Sequence, residues 1–191
     1  MSSIVEGLMK QLTSGDALSV IGRKAGADEK SVKSTMEMGL PMLLGAMNKS
    51  VSKPEGMNAI TSGLSQAGSI DSMSNIAGLL DGSGSGFGSD MLGSILGSNV
   101  QLIQQAISKS VGLPSGVVGK ILSMAMPLLM GSLSKNLGTN MFSGSISKLL
   151  GEQSKMALSA SPSASGAMQD LFASEKSSSG ILDRIKKAFN L

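Results

Sequence analysis

The sequence predicts an all-α, multihelical fold: a tandem duplicated three-helix motif, then a flexible C-terminal linker and a short amphipathic helix. Three observations predict it. Apolar residues recur at helical spacing in each half of the 191-residue chain. An unusual phrase occurs twice, as "GLPMLLGAMNKSV" from Gly39 and "MAMPLLMGSLSKNL" from Met124. Each copy sets a proline in an apolar run, follows it with bulky apolar residues and a glycine, and reaches a lysine. The chain is 41% hydrophobic, with fifteen Met, four Phe and no Trp or Tyr. Methionine is flexible and polarizable, so the expected core is adaptable.

The duplication shows when the chain is displaced by 86 residues against itself. Ile21 then meets Ile107, Gly26 meets Gly112, Val32 meets Val118 and Met38 meets Met124. Pro41 meets Pro127, Leu43 meets Leu129, Gly45 meets Gly131 and Lys49 meets Lys135. The register continues to Ile60 and Leu64, which meet Ile146 and Leu150. With a one-residue slip, "IVEGLM" overlays "MLGSIL" from Met91. Two repeats follow, about 1–67 and 88–153, within a helical domain 1–153. A repeat that cannot bury its apolar face alone packs against its twin.

Within each repeat the elements follow in order. "DALSVIGRKAG" sets Ala17, Leu18, Ile21 and Ala25 on one face, and Gly26 stands where a helix C-cap belongs. Asp28 is the expected N-cap of the next helix, with Glu29 in its first turn. In the second copy Gly112 takes the cap, and Pro114 suits a first-turn position. Val32, Met36 and Leu40 then run at helical spacing up to the proline. Pro41 and Pro127 are expected to kink the helix or to begin a new one. Gly45 and Gly131, four residues on, share the prolines' face and admit a neighbouring backbone. These residues read either as a hinge or ligand cleft, or as a close crossing in the core.

Asp81–Asp90, "DGSGSGFGSD", reads as a glycine-rich connector. Its glycine spacing invites comparison with a phosphate loop, but such a loop follows a buried strand, and the preceding "SMSNIAGLL" has helical spacing. Residues 154–180 read as a Ser/Ala-rich linker with a weak helix. In 181–191, Ile181, Leu182, Ile185 and Phe189 form an apolar face, and Arg184, Lys186 and Lys187 lie across from it. The net charge of +3 falls entirely in the last sixteen residues, because residues 1–175 hold twelve basic and twelve acidic side chains. Eleven residues need a surface to fold against. Three surfaces are open: the protein's own body, a groove on a partner, and an anionic membrane face, with peripheral contact through this tail.

"GADEKSV", "GLPMLLGAM", "MLGSILG" and "VGLPSGVVGKILSMAMPLLMGSL" resemble the YidB-like family of bacterial domains of unknown function. The resemblance covers about residues 1–150. Pro114 departs from it, since a capping Asp is more usual there. The resemblance implies a multihelical fold with a tandem three-helix motif, and it implies no activity.

The chain has no His and no Cys. That removes the commonest general base, the thiol nucleophile and the usual zinc and haem ligands. Asp28 with Glu29, and Ser143–Lys148, are explained better by a helix start and a helix surface than by catalysis. No enzyme activity, metal or cofactor is therefore expected. Nucleic-acid binding is disfavoured: Lys109, Lys120, Lys135 and Lys148 form a mild basic bias, but arginine is rare and no aromatic platform exists. The favoured function is structural. A methionine-rich, small-residue surface would suit self-association as a homo-oligomer or docking to a protein partner. A nucleic-acid-associated or membrane-surface role of the basic tail is the alternative. "MSSIVEGLMKQLTSG" has no basic leader or long apolar stretch, and no apolar run reaches the ~20 residues that cross a bilayer, so a soluble, cytoplasmic protein is expected.

Overall fold

The computed structural model describes residues 4–13, 16–69, 84–140, 142–170 and 173, and every element among them is an α-helix. The first four are α1 (Ile4–Thr13), α2 (Ala17–Ala25), α3 (Glu29–Ser50) and α4 (Pro54–Ser69). Then come α5 (Gly84–Leu96), α6 (Asn99–Val111), α7 (Ser115–Leu137) and α8 (Ser143–Ala160). A ninth stretch, α9 (162–170), follows a single residue later.

Local chemistry sets the boundaries. Gly26 adopts φ 81° and closes α2, and Gly112 adopts φ 73° and closes α6. Left-handed backbone of this kind strains any residue with a Cβ. Asp28 caps α3 by accepting hydrogen bonds from the Ser31 backbone N–H (3.0 Å) and hydroxyl (2.7 Å). At α7 the cap position belongs to Pro114, one step outside the first-turn place its sequence suggested. Its carbonyl accepts from Val117 and Val118 N–H at 2.9 and 3.1 Å.

The two repeated phrases become the centre of the molecule. In α3 every residue from Met38 to Met47 is buried, and in α7 every residue from Ile121 to Ser134. Helices apolar on all sides must be wrapped by others. Here α8 lies along α3, α5 and α4 lie along α7, and α3 and α7 touch each other. α7 is long and apolar enough to cross a membrane by length and composition, but 78% of that window is buried within the protein. Neither proline ends its helix. Each does leave the carbonyl four residues earlier, on Glu37 or Ser123, without its helical donor.

Two expected linkers fold differently. Residues 84–90 of the supposed connector form the first half of α5, with Gly88 buried against the Ser123 carbonyl oxygen. Glycine serves there for close approach rather than for flexibility. Residues 154–160 end α8, with Ser154 and Ala157 buried, and α9 buries Ala164 and Met168. Small side chains let these segments lie close on α3. The expected tail helix, Ile181 to Phe189 with Arg184, Lys186 and Lys187, lies outside the described residues.

Candidate functional site

The sequence singled out glycines and prolines, and the structure places them in two settings. Gly26 and Gly112 are exposed helix caps. Pro41, Gly45, Pro127 and Gly131 are buried in the central helices. A Cβ on Gly39 would lie 2.6 Å from Leu122 Cδ2, where α3 meets α7. A Cβ on Gly45 would lie 2.8 Å from Met168 Cε and 3.4 Å from Leu158 Cδ1. One on Gly63 would meet Met91 Cε at 2.7 Å and Met130 Cε at 3.1 Å. The hollows at Gly45 and Gly63 are thus filled by methionine tips, and the one at Gly39 by Leu122.

The methionines form the adaptable core that the composition suggests, and the described residues show no methionine-rich surface. Met36, Met38, Met42, Met47, Met91, Met124, Met126, Met130 and Met168 are all buried, and no described methionine is exposed. A thioether on three rotatable bonds fits irregular gaps between helices, and in a chain with 2% aromatics that is where it is needed.

A cavity of about 240 Å³ opens where the end of α3, the start of α4, the end of α5 and the start of α6 converge. Lys49, Lys53, Glu55, Ser50, Ser98 and Asn99 are among its lining. The Ser50 hydroxyl donates to the Ile95 carbonyl at 2.7 Å, satisfying one of the free carbonyls at the end of α5. Lys49 sits in the last turn of α3, where the helix dipole favours a cation. These polar groups therefore serve helix ends. Among the described residues, no group of three or more Asp, Glu, His or Cys side chains could hold a metal.

Two features escaped sequence reasoning. Gln153 on α8 is buried and accepts the Ile4 N–H at 2.7 Å, capping α1 across 149 positions of chain. Its partner lies near the other end of the chain, so only the tertiary fold reveals it. Phe142, just before α8, is 73% exposed. One signal was available, since "TNMF" follows the glycine that ends α7.

The Ser31 hydrogen bonds hold the Asp28 carboxyl below its ordinary value of 3.8, first through the hydroxyl and then through the backbone N–H. The folded state thus prefers the carboxylate. That stabilisation is complete above the unfolded-state value and is lost as pH falls through the lower folded value. The Tm difference between the wild-type chain and Asp28→Asn should therefore be constant near neutrality and should change below about pH 3.8. A difference that is flat down to pH 2 would remove the capping role.

Among the described residues the fold is all-helical and its buried polar side chains are bonded, which defines the class. The family model for "Bacterial protein of unknown function (DUF937)" matches residues 7–136. The chain belongs to that family, in agreement with the resemblance of its motifs. No curated protein and no solved structure matches it.

Proposed function

We propose that this is a non-enzymatic protein that works by helix-mediated self-association, on a body made of two copies of one helical unit. The end of α2 and the end of α6 are 86 residues apart, as are the starts of α3 and α7, and this supports the duplication. The observation that carries the association is Phe142. Among the described residues, Phe142 at 73% and Leu102 at 36% are the large apolar side chains left exposed, and the phenyl ring is by far the more open. Exposed aromatic rings are the side chains that most often anchor protein contacts.

Phe142→Ser tests this. The substitution removes no buried contact and sets a favoured capping residue at the N-cap of α8, so stability should hold or rise by up to about 1 kcal/mol. Self-association should weaken at least tenfold, as expected on losing an anchor of about 1.4 kcal/mol or more. Unchanged association would remove Phe142 from the interface. The basic tail 181–191 remains a second candidate anchor, toward a protein partner or an anionic membrane, on the strength of its sequence alone.

A further inference from the structure

We propose that α9 exchanges between two copies of this chain, so that Met168 of each seats on Gly45 of the other. The inference rests on the self-association reading and adds to it a contact that does not involve Phe142.

The segment "PSASGAMQD" is a poor helix in isolation. It holds Pro, Gly and two Ser in nine residues, far fewer than the ~12–15 an isolated helix needs. Its conformation therefore depends on its seat. Only Ala164 and Met168, one turn apart, are buried, and Pro162, Ser163, Gly166, Gln169 and Asp170 are exposed. The seat is specific: Met168 Cε fills the hollow that glycine leaves at position 45, with Leu158 beside it. A groove shaped for this segment fits the same segment of a second copy equally well.

The connection is one residue long. Ser161 ends α8, with its N–H donating to the Leu158 carbonyl at 3.2 Å. It also begins α9, with its carbonyl accepting from Ser165 N–H at 2.9 Å. Pro162 has no N–H and cannot prolong α8, and a residue preceding proline favours extended backbone. The break between α8 and α9 thus falls at Ser161, with φ −129° and ψ 85°. Straightening that one residue carries α9 off its own body. In the exchanged dimer every seat contact is restored, so the balance lies with the hinge and with concentration. Short, constrained hinges invite this exchange.

The test uses the full chain. Sedimentation up to about 1 mM, the weak end of specific affinity, should show a concentration-dependent dimer. Inserting Gly-Ser-Gly between Ser161 and Pro162 relaxes the closed monomer and should lower the association constant at least about tenfold. The chain has no Cys, so Lys49→Cys on one copy and Gln169→Cys on another place unique thiols one turn from Gly45 and beside Met168. A short thiol–thiol linker should join these two chains once they are mixed. A dimer insensitive to the insertion, with no link between chains, would overturn the exchange. If that dimer is lost in Phe142→Ser, self-association stands without exchange. A chain that is monomeric throughout removes both.

Discussion

Gly88→Ala is expected to be among the most damaging single substitutions in the protein. By helix propensity alone, alanine within α5 should add stability, roughly 1 kcal/mol. The packing reverses the sign. An added Cβ would fall inside the contact shell of the Ser123 carbonyl oxygen, with the Ser123 carbonyl carbon at 2.7 Å and its Cα at 3.3 Å. These are backbone atoms of the central helix and cannot rotate away. Overpacking of this kind costs typically ~1–3 kcal/mol, and more where backbone must move. A net loss of about 3 kcal/mol corresponds to a fall in Tm of roughly 6–12 °C for a chain of this size. Gly93, on the exposed side of the same helix with nothing within 4 Å of its would-be Cβ, provides the control. Gly93→Ala should leave Tm unchanged or raise it. Thermal melts of the two variants decide the matter, and similar melts for both would contradict the close α5–α7 contact.

Leu43→Ala and Leu129→Ala should each cost about 3 kcal/mol, within the ~2–5 kcal/mol span of large-to-small core changes. Both side chains are fully enclosed, at 0% exposure, two residues beyond Pro41 and Pro127. If the repeated phrases are equivalent halves of one core, the two losses should agree within about 1 kcal/mol, less than the usual spread between sites. Urea unfolding of both variants measures this. A loss below about 1 kcal/mol at one site and above 3 at the other would show that the halves are not equivalent.

Much of this fold was legible because its signals were local. Gly26 and Gly112 close their helices as their positions after apolar stripes suggested, and Asp28 caps as its place before Glu29 suggested. The phrases around Pro41 and Pro127 set small residues among large apolar ones, which left a hinge and a core crossing both open, and both phrases are buried. What failed depended on contacts distant in sequence. "GSGFGSD" carries no local reason to be helical, and its α5 conformation follows from packing along α7. The same holds for α9, whose serines and glycine suggest a linker until Met168 meets Gly45. Methionine was legible for the core and not for the surface. Its adaptability suits a surface as well as a core, and only the lack of aromatics to fill the interior indicates which applies. Gln153 was illegible for the same reason, since its partner is the Ile4 N–H at the other end of the chain. The positions that spacing suggested, the glycines and prolines of the repeats and the basic tail, include neither Phe142 nor Met168, because these two belong to no motif.

Sedimentation equilibrium of the intact chain over a wide concentration range tests self-association most directly. The predicted result is a mass that rises from one chain to two as concentration increases, with the rise suppressed in Phe142→Ser and no loss of helix content. A mass of one chain at every concentration up to about 1 mM would contradict it.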